Sequence, residues 1–148
     1  MKYILGIAFI AIVAVACSPT QNKETNYKAV RDEVMKFHDV VMADHGMVVN
    51  NQMKLDTLVR DLKGLKTRFP EIDTLKEKDA INDLIKDLTI AEDSMNDWMH
   101  NFEPDVTGKS NEVAVQYFKD EKAKIAAVDS LYKKEIASSN AYLERFKK

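Results

Sequence analysis

The chain has 148 residues, with 22 basic and 24 acidic side chains, three histidines and a formal net charge of −2. Without a clustered basic footprint it is poorly suited to nucleic acid, and a single cysteine excludes an internal disulfide. The length suits one domain with a single core.

The first segment is read as a leader and not as part of the fold. Met1-Lys2 supplies a short positive start, and Tyr3 to Val15 is an apolar run too short and wrongly flanked for a permanent membrane span. It ends in Ala14-Val15-Ala16-Cys17, small residues before a cysteine that resemble the lipobox cut by the lipoprotein signal peptidase. Ala14 stands where leucine is usual. The resemblance implies a signal peptide over 1–16 and an acylated Cys17, carrying palmitate-type chains, as the mature N-terminus. Several acyl chains anchor stably where one would be marginal. The alternative is an ordinary secretory signal cut nearby, which leaves one free thiol without a role. Residues 17–23 are then the lipidated cysteine and a flexible polar tether, and Ser18 points to the outer membrane, facing the periplasm or the cell surface. Loss of 1–16 removes Lys2 and no acid, leaving 21 of the 22 basic residues against all 24 acidic ones.

Residues 24–148 are expected to form an all-α body. The breakers Pro70, Pro104 and Gly108 divide it into helices over about 24–68, 72–102 and 110–147. Lys, Glu, Leu, Ala and Met dominate all three, and none alternates as a strand would. In the first, Val34, Val41, Val48, Leu55, Leu62 and Phe69 form one heptad register; Val30, Phe37, Asp44, Asn51, Leu58 and Leu65 form its companion. Such a helix would be on the order of 60 Å long, with a stop or bend at Gly64 and a kink or close crossing at Gly46. Asp44 and Asn51 stand where leucine would pack better: either they specify register, or the seam rotates and leaves them at its wet edge. The second helix starts near Pro70 or Asp73 and carries a seam from Ile81 through Leu84, Leu88, Ala91, Met95 and Trp98 to Phe102. Pro104 ends it. The third starts at Ser110, an N-cap, with Phe118, Ile125, Val128, Tyr132, Tyr142 and Phe146 as its seam. Short connections predict an up-down-up antiparallel three-helix bundle of coiled-coil-like helices. A helical hairpin that dimerises is the alternative, so a homo-oligomer remains open.

"VMKFHDVVMADHGM" (34–47) places Met35, His38, Met42 and His45 on one side of the first helix. If the chain doubles back near Pro70, facing residues have numbers summing to about 141. Met42 then lies level with Met99, and His45 with Asn96. The candidate patch is therefore Met35, His38, Met42, His45, Met95, Trp98, Met99 and His100, at the bundle end nearest the tether. Packing is the plain reading, because methionine fills irregular core gaps and favours aromatic contacts. A second reading is a soft-metal or haem site, with Met35, His38, Met42 and His100 as candidate ligands to copper or haem. No CxxCH, HExxH or paired ExxH motif accompanies them, so no metal or cofactor is assigned. The third reading is recognition of a protein partner by an adaptable thioether surface.

Enzyme chemistry finds little purchase. Once Cys17 is acylated no cysteine nucleophile remains, and four glycines build no phosphate-cradling loop. Acidic runs such as Lys76-Glu77-Lys78-Asp79 read as the solvated face of a helix.

"EVMKFHDVVMADHGMVVNNQMKL" (33–55) together with "AEDSMNDWMHNFEPD" (91–105) resembles a group of small helical envelope lipoproteins of Bacteroidota, some labelled "viral A-type inclusion protein". The resemblance covers most of the mature chain. It implies a helical, lipid-anchored protein and brings no catalytic residue. The expected role is binding or scaffolding in the cell envelope, membrane-attached through Cys17, with a protein partner.

Overall fold

The computed structural model describes residues 26–147. The expected signal peptide (1–16), Cys17 and the tether (17–23) lie outside the described residues. Within them the chain is all-α: α1 (Tyr27–Arg60), α2 (Leu62–Arg68), α3 (Thr74–Asn101) and α4 (Asn111–Glu144), with no strand among the described residues.

Each start is set by a side chain that accepts one of the orphan N–H groups of a first helical turn. Asn26 accepts from Lys28 at 2.9 Å, Asp73 from Leu75 and Lys76 at 3.0 and 3.3 Å, and Ser110 from Val113 at 3.4 Å. The second long helix stops at Asn101, three residues before Pro104, with the Phe102 backbone already extended. In the loop to α4, Gly108 has φ of 83°, a left-handed conformation that glycine adopts without penalty.

The expected first helix is two helices. Asp61 leaves helical geometry at φ −115° and ψ 46°, yet its N–H still closes α1 on Thr57 and Leu58. Its carboxylate turns forward to accept the Gly64 N–H at 3.0 Å, which starts α2. A short acidic side chain that can bond its own backbone competes with the helix it sits in. A Cβ at residue 64 would lie 2.2 Å from Asp61 Oδ2, so the cap occupies the space that glycine leaves. The break thus falls three residues before the glycine expected to cause it. Gly46 marks no close crossing: α1 continues unbroken through it, and a Cβ there would meet nothing within 4 Å.

α1 and α4 run in the same direction. Tyr27 N–H donates to Asn111 Oδ1 at 3.2 Å, Lys122 pairs with Glu33, the His45 and Tyr132 side chains meet at 3.4 Å, and Asn51 reaches Ser139 at 2.9 Å. α3 runs against both, with Gln52 bonded to Thr89 and Glu92, and Glu77 bonded to Tyr142 and Arg145. The three long helices form a helical bundle around one core. Val34, Val41, Val48 and Leu55, every seventh residue of α1, are fully enclosed by Ile81, Leu88, Ala91 and Met95 of α3 and by Phe118, Ile125 and Tyr132 of α4.

Polar groups also enter this core. Asn51 is buried and donates to Ser139 Oγ and Asn140 Oδ1, both at 2.9 Å, so it does not sit at a wet edge; Asp44 is half-buried. Glu77, expected on the solvated face, is buried: it accepts from the Tyr142 hydroxyl at 2.5 Å and from Arg145 at 2.8 Å, tying the start of α3 to the end of α4. α4 further buries Glu121, Asp129 and Glu135, paired with Lys124, Lys133 and Lys134 of the same helix at 2.7, 2.7 and 2.8 Å.

Candidate functional site

The eight residues of the expected patch divide between the interior and the surface. Met95 (1% exposed) and Trp98 (6%) are core residues; Met35, His38 and His45 are half-buried; Met42 (41%), Met99 (38%) and His100 are exposed. Trp98 anchors an aromatic cluster that closes one end of the bundle. Its ring stacks on Phe102 at 4.7 Å, and His38 leans on it at 6.1 Å. Phe102 in turn meets Phe118, which also packs on Tyr27 and Tyr117. Such pairs each add about 0.5–1.5 kcal/mol beyond their buried area, set against the cost of the Trp98 indole N–H, buried without an acceptor among the described residues.

Each imidazole has a neighbour at Nδ1. His38 Nδ1 lies 3.0 Å from the Asp39 carboxylate and His100 Nδ1 lies 2.9 Å from the Asn96 carbonyl oxygen. Both partners only accept, so both Nδ1 atoms carry the proton. His45 Nδ1 is 3.4 Å from the Tyr132 hydroxyl, and its Nε2 is 4.0 Å from Glu92, one turn along α3 from the Asn96 expected opposite it. Burial, and then the charge of Glu92, pushes the Tyr132 phenol up to about 12. Among the described residues no three His, Cys, Asp or Glu side chains gather as a metal-holding group. Of the copper or haem candidates, Met42 and His100 are exposed, Met35 is half-buried, and His38 leans on the core tryptophan.

What the surface does carry is thioether. Met42, Met47, Met53 and Met99 are exposed, Met53 to 66%, so core packing accounts for Met95 and not for these four. Met42, Gly46 and Met53 are spaced by four and seven residues and so share one stripe of α1. At Gly46, midway along it, the backbone is bare and unobstructed.

Sequence reasoning passed over a groove at the other end of the molecule, between the last turns of α1 and α4. It encloses about 320 Å³ and includes Lys54, Leu58, Asn140, Leu143 and Phe146 in its walls. The i, i+4 pair Lys54 and Leu58 and the i, i+3 pair Asn140 and Leu143 were the available signal, a polar residue one turn before an apolar one on each helix.

No helix among the described residues is long and apolar enough to cross a membrane. The chain matches no family model, and no curated protein and no solved structure proved similar to it.

Proposed function

We propose that this is a lipid-anchored protein of the bacterial outer membrane whose body, an up-down-up three-helix bundle, binds or scaffolds a protein partner through the methionine-bearing face of α1 and α3. Cys17 carries the acyl chains, the tether leads to Asn26, and the body stands in the periplasm or at the cell surface. The observation that supports this most is the exposed stripe of Met42, Gly46 and Met53 on α1, with Met99 exposed on the neighbouring α3. Thioethers on flexible stems adapt to varied partner shapes, and a bare glycine lets a partner backbone approach closely. A mid-helix glycine costs about 1 kcal/mol against alanine, and at residue 46 nothing in the fold calls for it. The likeness of 33–55 and 91–105 to small helical Bacteroidota lipoproteins supports the same reading. It assigns no enzymatic activity, and the spread of Met35, His38, Met42 and His100 between interior and surface favours partner binding over copper or haem.

Mass spectrometry of the chain recovered from membranes tests the anchor: acyl mass on Cys17 is expected, and Cys17→Ala should release the protein from the membrane fraction. Cross-linking in intact envelopes tests the surface. Adducts formed by the wild type and lost in a folded Met42→Asp, Met99→Asp variant support the face named here; an unchanged adduct pattern assigns the partner elsewhere.

A further inference from the structure

We propose that the groove between the far ends of α1 and α4 binds a free medium-chain carboxylate, an anionic amphiphile of the fatty-acid class. This goes beyond the partner surface just described and does not depend on it.

The groove runs from Lys54 and Asn140 along the apolar Leu58, Leu143 and Phe146, with Thr57 and the mutually paired Glu144 and Lys147 also in its lining. The bonds from Asn51 to Ser139 and Asn140 fix the register of the two helices there. Lys54 lies about one turn past Asn51 on α1, so it stands beside Asn140 at the head of the groove. One turn further, Leu58 and Leu143 are apolar and only partly buried, and Phe146 follows. Phe146 is held in place by Phe69 edge-on at 5.3 Å, by Tyr142 at 5.4 Å and by the Arg145 guanidinium over its ring at 5.1 Å. The apolar wall is therefore preformed, which lowers the ordering cost of binding.

Charge selects the head group. Lys147 and Glu144, also at the groove, pair with each other. Lys54 has no ion-pair partner among the described residues, so the lining carries one uncompensated positive charge. Asn140 uses its carbonyl oxygen to accept from Asn51, so the amide face it can offer a ligand is the donating one. The Lys54 ammonium and the Asn140 amide N–H groups, two donors at the head, match a carboxylate, which only accepts. The groove lies near the last residues of α1, roughly 50 Å from Asn26, where the chain continues toward Cys17. On the anchored reading proposed above, that distance from the tether favours a free monomer over a lipid embedded in a bilayer.

Calorimetric titration of the chain from residue 17 onward carrying Cys17→Ala, in detergent-free buffer, tests this with octanoate, decanoate and laurate. Each buried methylene should tighten binding about fourfold, so decanoate should bind about fifteenfold tighter than octanoate. Decanol and decyltrimethylammonium should bind at least tenfold more weakly than decanoate, and Lys54→Glu, at an exposed position, should remove that preference for the anion. Phosphatidylglycerol vesicles should not bind. The proposal fails if decanoate shows no saturable binding, if affinity is indifferent to chain length, if decanol binds as well as decanoate, if Lys54→Glu changes nothing, or if vesicles capture the protein while free decanoate does not.

Discussion

Asn51 of α1 and Ser139 of α4 meet inside the core, with the amide nitrogen 2.9 Å from the hydroxyl oxygen, and the same amide donates to Asn140. The Ser139 hydroxyl in turn donates to the Glu135 carbonyl oxygen at 2.7 Å, so the network ends on backbone. Asn51→Ala removes two hydrogen bonds from an enclosed site and should cost about 1–3 kcal/mol in urea unfolding. Replacing both partners with apolar residues, Asn51→Leu with Ser139→Ala, should restore wild-type stability or exceed it. Sedimentation of that double variant should show a broader range of assembly states, because a polar seam residue fixes partner and register at a cost in stability.

The methionines separate by the same measurement. Met95→Ala empties a fully packed position and should cost about 2–5 kcal/mol, whereas Met42→Ala and Met99→Ala should stay within about 0.5 kcal/mol of wild type. A large loss at Met42 would place it in the interior.

The two helical glycines should respond differently to alanine. Gly46→Ala gains helix propensity with no steric cost and should stabilise by about 0.5–1 kcal/mol. At Gly64 the same gain is opposed by displacement of the Asp61 carboxylate from its cap, worth about 0.5–2 kcal/mol. Gly64→Ala should therefore be neutral or destabilising by up to about 1 kcal/mol. Thermal melts of the two single variants decide between these outcomes.

Alkaline pH should loosen the core. Burial raises the phenol of Tyr132 to about 12. Burial, and then the hydrogen bond to the Glu77 carboxylate, raises Tyr142 further, with Arg145 opposing. Unfolded tyrosine ionises near pH 10, so above that the folded state holds the extra protons. The stability these groups contribute is intact below about pH 10 and falls as pH rises toward 12, by up to about 1.4 kcal/mol per pH unit for each. Chemical unfolding across that range should show a steeper loss for wild type than for Tyr132→Phe with Tyr142→Phe.

Much of this architecture is written in short signals. Asp73 and Ser110 cap helices where their side chains predict, and the stop before Pro104 and the heptad from Val34 to Leu55 are all visible in the chain. The break at Asp61 is not, because it depends on which way one carboxylate turns. The division of the methionines depends on the rotation of α3: its buried stripe steps from Met95 by three residues to Trp98, which turns Met99, four residues on, out to solvent. Charge alone places acidic residues on a wet face, yet α4 buries Glu121, Asp129 and Glu135. Their burial follows from lysines of the same helix, whose apolar stems can lie along the helix while their ammonium groups stay in water and reach back to each carboxylate.

Because α1 and α4 start together, with the Tyr27 N–H on Asn111, the first described residue and the last helix's end lie at opposite poles of the molecule. Tension between those poles slides one helix along the other, loading the Glu33–Lys122, His45–Tyr132 and Asn51–Ser139 links at once instead of unzipping them in turn. The lifetime of the molecule when pulled by those two ends is set by its rate of unfolding.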